Sequence, residues 1–419
     1  MKDGVIPDGY KLTEVGVIPC DWEVKRLGEV SEINRGASPR PIDSPKWYST
    51  QSNVGWVRIA DVSEANGKIL LKTKDYLSKQ GISQSRFISQ GSLIMSICAT
   101  VGLPIITGIE VCIHDGFVGF DKISKDIDLE FLFYTLKELE KSFKSAGQVG
   151  SQSNLNSEII RQYFITIPPL PEQKRIAKAL SDIDELITAL DKLITKKRYL
   201  KQGAMQQLLT GKTRLPGFTG AWDVKEIKEL TLQLTNGFVG QATQHYTNSN
   251  DGVFYIQGFN VEENSFNLTG IKKVTSEFHR RNSRSSLREG DLLTIQTGEV
   301  GITTIVPKKL EGSNCHALII TRFKQEIIFP KFYSYYFNSS FYRNQLKEIE
   351  TGTTMKHINV RDMAILQVLI PPLPEQKAIA QILTKMDEEI EALEKKRDKY
   401  KKIKQGMMSV LLTGRIRLM

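Results

Sequence analysis

Ile176, Leu180, Ile183, Ile187, Leu190 and Ile194 follow one another at steps of four and three. That alternation lays an apolar stripe along a helix and, sustained over heptads, makes the seam of a coiled coil. Ile379, Leu383, Met386, Ile390 and Leu393 repeat it. No proline interrupts Glu172 to Leu209, so each stretch predicts one helix of about forty residues, roughly 55 to 60 Å at about 1.5 Å per residue. Charged residues break into both seams: Lys197 and Lys201 in the first copy, Arg397 and Lys404 in the second. A helix this long must bury its stripe against something, and its own duplicate is the available partner. An antiparallel pair would set the segments that precede the helices at opposite ends. The charged seams and the apolar Met407-Met-Ser-Val-Leu-Leu412 end predict surfaces that await another subunit.

Elsewhere the pattern changes to short β-rich runs, such as Trp56-Val-Arg-Ile59, Val253-Phe-Tyr-Ile256 and Leu292-Leu-Thr-Ile295. Glycine turns separate them, Asn34-Arg-Gly-Ala-Ser-Pro-Arg40 and Thr235-Asn-Gly-Phe-Val-Gly240 among them. Helix-like aromatic clusters follow at Phe131-Leu-Phe-Tyr134 and Phe332-Tyr-Ser-Tyr-Tyr-Phe337. Strand and helix do not alternate regularly, which predicts an α+β class rather than a doubly wound sheet. Ser92 to Ile109 is apolar enough to suggest a membrane span, but the matching stretch Asp291 to Lys308 carries Asp291, Gln296, Glu299 and Lys308. Both are read as pairs of buried strands.

The chain is duplicated. Pro168-Pro-Leu-Pro-Glu-Gln-Lys174 recurs as Pro371 to Lys377, and the same shift of 203 carries Leu208-Leu-Thr-Gly211 onto Leu411-Leu-Thr-Gly414. The longer segments before each copy match in scattered places: Trp22-Glu-Val-Lys25 with Trp222-Asp-Val-Lys225, Gly91-Ser-Leu-Ile94 with Gly290-Asp-Leu-Leu293, His114 with His316. These matches predict one scaffold used twice with different ligands, divided at 1–167, 168–213, 214–370 and 371–419 and related by pseudo-twofold symmetry.

Composition narrows the partner. A net charge of +10 and a pI near 9.2 favour an acidic one, nucleic acid before membrane. The four cysteines, Cys20, Cys98, Cys112 and Cys315, have neither disulfide nor zinc spacing, which fits a reducing cytoplasm. Met-Lys-Asp-Gly-Val at the start lacks the apolar core of a signal peptide.

With these features the sequence resembles the specificity subunit of type I restriction-modification enzymes. The resemblance rests on two variable segments, each followed by a helix that opens with Pro-Leu-Pro-Glu-Gln (to Gln173 and Gln376) and closes with Leu-Leu-Thr-Gly, and on the Trp22-Glu-Val-Lys-Arg-Leu-Gly-Glu29 stretch. It implies two target recognition domains, each reading one half of a bipartite, asymmetric site on double-stranded DNA. It also implies that the paired helices set the gap and dock two modification (methyltransferase) subunits, and that restriction subunits join through the assembled methylase. No cofactor, metal or membrane is implied. A spacer of ~57 Å spans on the order of 17 base pairs at about 3.4 Å each.

DNA contacts are expected from Lys and Arg on phosphates and from Arg, Asn, Gln, Ser and Thr on base edges. In the first domain the candidates are Arg35 and Arg40 flanking the glycine turn, Arg58 with Asp61, Lys79, Gln84 and Arg86, and the late polar loop of Gln148, Gln152 and Asn154. In the second they are Asn236 and Gln241, Gln257 with Tyr255, the loop His279 to Arg288 with Arg280, Arg281, Arg284 and Arg288, and Thr353, Thr354, Lys356 and His357. Each has a bland alternative: a solvated turn, or a salt bridge for Arg58 and Asp61. The basic helix ends at Lys196-Lys-Arg198 and Lys395-Lys-Arg397 read first as solvated faces or subunit contacts.

Catalysis is not expected. The chain has no Asn/Asp-Pro-Pro-aromatic loop for a flipped base, since Ile167-Pro-Pro-Leu170 lacks both amide and aromatic. Asp291, Glu299 and Lys308 would have to be forced into a nuclease set, and His114 and His316, beside Cys112 and Cys315, read as packed residues rather than metal ligands. Two other classes stay open at this point. A self-contained nuclease or methylase would act on DNA by itself with Mg²⁺ or S-adenosylmethionine. A coiled-coil scaffold that does not read DNA would show only weak, sequence-independent affinity.

Overall fold

The computed structural model describes residues 6–65, 67–147, 155–352 and 355–419. The chain divides into two compact units, one formed by Met1–Leu193 with Glu394–Met419, the other by Ile194–Leu393.

Both units use one mixed scaffold. The first holds a five-stranded sheet in the order Glu32–Arg35, Phe117–Asp121, Leu93–Ser96, Pro104–Thr107, Ile69–Leu70. Beside it lies a four-stranded sheet ordered Asp75–Tyr76, Gly55–Val57, Val111–Ile113, Arg86–Ile88, in which Gly55–Val57 and Val111–Ile113 run parallel. The second unit has Thr231–Asn236, Leu318–Phe323, Leu292–Ile295, Thr303–Ile305 in one sheet and Lys272–Val274, Val253–Ile256, Asn314–Cys315 in another. The α+β class is therefore what the structure shows. Leu93–Ser96 and Pro104–Thr107 are neighbouring antiparallel strands, all buried, so Ser92 to Ile109 is a pair of buried strands joined by a turn. No described helix is long and apolar enough to cross a membrane.

Each domain is closed by pairing a strand near its start with its last strand. Glu23–Arg26 pairs with Phe164–Ile167, and Asp223–Glu226 with Gln367–Ile370. The aromatic clusters are helices, Leu129–Glu138 and Pro330–Asn338, whose Phe131, Phe133 and Tyr134, and Phe332, Tyr333, Tyr335 and Tyr336, fill the cores.

The two long helices run Leu170–Leu208 and Leu373–Leu411, 39 residues each. Pro171 and Pro374 sit in their first turns, where a missing N–H costs nothing. In the first unit Glu172 faces Arg417, Asp184 faces Lys404 and Asp191 faces Arg397, a descending order that makes the pairing antiparallel. In the second unit Arg214 faces Glu375 and Lys201 faces Asp387 in the same sense. Ile176, Leu180, Ile379 and Leu383 of the predicted seams are buried.

The seam lysines are built in, not interruptions awaiting a partner. Lys404 Nζ lies 2.6 Å from Asp184 Oδ1 and over the Tyr134 ring, while the Tyr134 hydroxyl donates to Asp184 at 2.9 Å. Lys201 repeats this with Asp387 and Tyr335. Nor does the Met407–Leu412 end stay open, because Met408, Leu411 and Leu412 are buried in the first unit's core with Met407 and Val410 packed against it.

The recurrent Glu-Gln has the same explanation. Gln173 accepts from Asp128 N–H and donates to Asp126 and Pro168 carbonyls; Gln376 does the same with Phe329, Ile327 and Pro371. Glu172 takes Trp22 Nε1 at 3.1 Å and both guanidinium ends of Arg417, each at 2.7 Å. Glu375 takes Trp222 Nε1 at 2.9 Å and Arg214 at 2.7 and 2.6 Å. The motif thus bolts a domain to the start of one helix and to the segment that follows the end of the other.

Candidate nucleic-acid interface

In each unit one turn gathers the polar ends of several strands. In the first, the turn at His114–Asp115 leads from Val111–Ile113 of one sheet to Phe117–Asp121 of the other. Arg35 closes its strand opposite Val118, and Gly36 N–H then donates to Phe117 at 2.9 Å. Gly36 is glycine because the chain passes against the turn: a Cβ there would lie 2.1 Å from the His114 carbonyl oxygen. Gly237 occupies the same place, 2.5 Å from Cys315 Sγ by the same construction. These glycines admit the protein's own backbone, so a phosphate is not needed to account for them.

Arg35 Nε donates to the Asp115 carbonyl at 2.7 Å, Arg40 reaches the Asp115 carboxylate at 3.3 Å, and Arg86 Nε donates to the Arg35 carbonyl at 2.7 Å. Ser38 Oγ donates to Asp115 at 2.6 Å and, with the neighbouring backbone, Arg40 and His114, holds this carboxyl below its usual range. Arg58 pairs with Asp75 at 2.7 Å. Asp61 is not its partner: it accepts the backbone N–H of Arg58 and of Lys74, capping the helix Ile59–Glu64. The turn therefore collects Arg35, Arg40 and Arg86, each partly tied and partly facing solvent, with Arg58 just beyond His114. Lys79 and Gln84 are exposed at the two ends of the short helix Lys79–Ser83.

His114 Nδ1 accepts from Gly116 N–H at 2.8 Å, and its ring packs edge-on to Phe117. Burial lowers the imidazole pKa and pushes the Cys112 thiol up to about 11. Both are packed, neutral groups near neutral pH. Among the described residues no set of three His, Cys, Asp or Glu side chains could hold a metal.

The second unit places different residues on the same positions. Asn236 closes its strand opposite Ile319, and Gly237 N–H donates to Leu318 at 2.8 Å, as Gly36 does to Phe117. Gln257 N–H donates to Asn260 Oδ1 as Arg58 N–H does to Asp61, and Gln257 Nε2 donates to Tyr246 at 3.3 Å where Arg58 reaches Tyr48 at 3.5 Å. His316 Nδ1 meets the Tyr255 hydroxyl at 3.0 Å. Gln241 and Arg281 line a cavity of about 200 Å³ with Gln244, His245 and Phe278.

The stretch His279 to Arg288 is not one basic loop. Ser276–Arg281 is a helix capped by Thr275, because the Thr-x-x-Phe hydroxyl meets the Phe278 N–H. Arg281 pairs with Glu277 one turn back; Arg280 and Arg284 are exposed, with no carboxylate partner among the described residues. Arg288 is carried to the other end of the strand Leu292–Ile295, where its N–H caps onto Asp291. Lys356 pairs with Glu350 at 2.5 Å, and His357 Nδ1 meets Thr297 at 2.7 Å. Gln148, Gln152, Asn154, Thr353 and Thr354 lie outside the described residues.

Asp291, the carboxylate of the forced nuclease set, is buried and chelated by Arg322 at 2.8 and 2.6 Å, while Lys308 pairs with Glu311. Sequence reading missed the role of Arg322, and that of Arg214 and Arg417. The last two had a usable signal, being related by the same shift of 203 as the rest of the connector.

A sequence profile described as the type I restriction modification DNA specificity domain matches residues 19–198 and again 220–404. The chain is similar to the putative type I restriction enzyme MjaX specificity subunit of Methanocaldococcus jannaschii, with 28% identity covering 98% of this chain and 97% of that one. It is similar also to the MjaVIII specificity subunit of the same organism, at 25% identity over 96% and 94%. Among solved structures, a chain from work on complex assembly and conformational transition of the type I R-M system superposes with TM-score 0.63 at 18% identity, covering 95% of this chain and 99% of that one. The S subunit of a type I restriction-modification system from M. genitalium gives TM-score 0.57 at 13% identity, over 93% and 96%. These two likenesses concern the fold.

Proposed function

We infer the function from one premise: the chain belongs to the type I restriction modification DNA specificity domain family, matched over both of its repeats. It is a non-catalytic specificity subunit of a type I restriction-modification system. In our reading the recognition domain of each unit reads one half of a bipartite, asymmetric site on DNA. The observation that carries this is the pair of equivalent strand-end turns, alike in backbone and unlike in side chains. A shared scaffold with different polar ends is what two different half-sites require.

Segments 1–167 and 214–370 would be the readers, and 168–213 and 371–419 the spacers that dock two methyltransferase subunits. Restriction subunits would join through that assembly, in the cytoplasm. Arg280, Arg284 and Lys79, exposed and without carboxylate partners among the described residues, fit phosphate contacts. The test is to sequence methylated bases in DNA from cells expressing this chain with its cognate modification subunit. One bipartite motif is expected, altered in a single half when residues 1–167 are exchanged. A motif that is continuous, or changed in both halves, would refute the reading. The purified chain alone, given DNA with Mg²⁺ or S-adenosylmethionine, should neither cut nor methylate.

A further inference from the structure

Three positions can be matched between the units by backbone register and equivalent caps, without reference to their own side chains. Arg35 and Asn236 close equivalent strands one residue before the glycine that passes the turn. Arg58 and Gln257 follow equivalent parallel strands and begin equivalent one-turn caps. Arg86 lies opposite Ile113, and Ser286 bridges Asn314, which places Ser285 on the position of Arg86. The first unit therefore has Arg, Arg, Arg where the second has Asn, Gln, Ser. Near the turn, Arg40 is likewise set against Gln241, and Asp115 against Ala317.

The arginines are held in a particular way. Arg35 and Arg86 each spend Nε on a backbone carbonyl, and Arg58 spends it on Asp75. Fixing that nitrogen orients the guanidinium; Arg58 Nη2 also reaches the Tyr48 hydroxyl at 3.5 Å and Arg86 Nη1 lies 4.0 Å from Asp121, so each of these two keeps its other terminal amino group as the reaching end. A pair of such N–H groups matches the O6 and N7 acceptors of guanine in the major groove, whereas a carboxamide, with one donor and one acceptor, matches N6 and N7 of adenine. In the second unit Gln257 is tethered to Tyr246 through Nε2, and exposed Gln241 and Gln244 line the cavity at Phe278.

We propose that the first domain reads a half-site dominated by G·C pairs, with Arg35, Arg58 and Arg86 at guanines, and that the second reads one dominated by A·T pairs through Gln241 and Gln257. This rests on the half-site reading above and adds the base class to it. The test uses the complete complex of this chain with its modification subunits, in cells whose methylated bases are sequenced. Exchange of residues 1–167 assigns each half to its domain, and the unmutated motif then gives the base content directly. G·C pairs should outnumber A·T pairs in the first half and the reverse should hold in the second. Arg58→Gln should lower methylation of the original sites about 5- to 150-fold and relax one G·C position, leaving the second half unchanged. A first half with mostly A·T pairs overturns the proposal while leaving the two-reader function standing. So does an Arg58→Gln variant that methylates the same motif at a uniformly lower rate, since that marks a phosphate contact. Loss of any bipartite motif in the unmutated complex would overturn both.

Discussion

The two Trp–Glu–Arg clamps are made of the same residues and solve different problems. In the second unit Arg214 lies on the continuous chain between a long helix and the domain it serves, so covalent connection already holds it near Glu375. In the first unit Arg417 lies on a segment after the last helix, linked to the domain that it holds by contacts alone. That segment carries an additional restraint: Asp21 takes Arg417 at 2.9 and 2.7 Å, whereas the matching position in the second unit is Ala221. The Leu418 N–H also donates to Glu172. An untethered segment loses more conformational freedom on docking, and the extra carboxylate offsets part of that loss.

The comparison is broken most directly at the buried glutamates. Glu375→Ala removes the buried acceptor shared by Arg214 and Trp222 and should give the largest loss of stability among these variants, read by urea unfolding followed by tryptophan fluorescence. Glu172→Ala should cost less, because Arg417 keeps Asp21; an equal or larger loss would mean that Asp21 adds no restraint to the first clamp. At the seam, Asp184→Ala and Asp387→Ala should each cost about 2–4 kcal/mol by stranding Lys404 and Lys201, while replacing both partners of a pair with leucine should be nearly neutral. Trp22→Phe and Trp222→Phe each remove one donor to a carboxylate, worth about 1.5–3 kcal/mol, with melting temperature as the readout.

Acid should sharpen the contrast further. Burial alone would raise the Glu172 pKa, but hydrogen bonds from Arg417, Trp22 and the Leu418 N–H hold it below the ordinary 4.5, and Arg417 likewise holds Asp21 below 3.8. Carboxylates depressed in the folded state contribute stability that is complete above their ordinary values and lost as pH falls through the depressed ones. The melting temperature should therefore fall more steeply below about pH 4.5 in the unmutated protein than in Arg417→Ala. The smallest effect is expected from Asp21→Ala at neutral pH, at most about 1 kcal/mol for a half-exposed pair.

Several features were legible because they are periodic or repeated. The helices announced themselves by heptad spacing and by the absence of proline, and the duplicated scaffold by matched Trp, Gly and His positions. Other readings failed where the deciding contact is remote. Lys201 and Lys404 looked like breaks in an apolar seam because their aspartate and tyrosine partners lie on other elements. The Met407–Leu412 end looked open because its core belongs to a domain that starts almost four hundred residues earlier. The arginines between His279 and Arg288 looked like one patch because closeness in sequence was taken for closeness in space, and a helix followed by a turn sends Arg288 away.

By itself the sequence determined the local rules: which stretches are helical, where a glycine must stand, which residues recur at a constant shift, and the net positive charge. Those depend on neighbours a few residues away or on identity between copies, and a linear reading captures both. Only the tertiary structure decided that the motif glutamates are buried clamps and that the charged seam positions are satisfied pairs. It also decided that Arg35, Arg58 and Arg86 occupy the strand ends held in the other unit by Asn236, Gln257 and Ser285. The reason is physical: a buried charge is tolerated only with its partner in place, and such partners come together through long-range packing that no local pattern encodes.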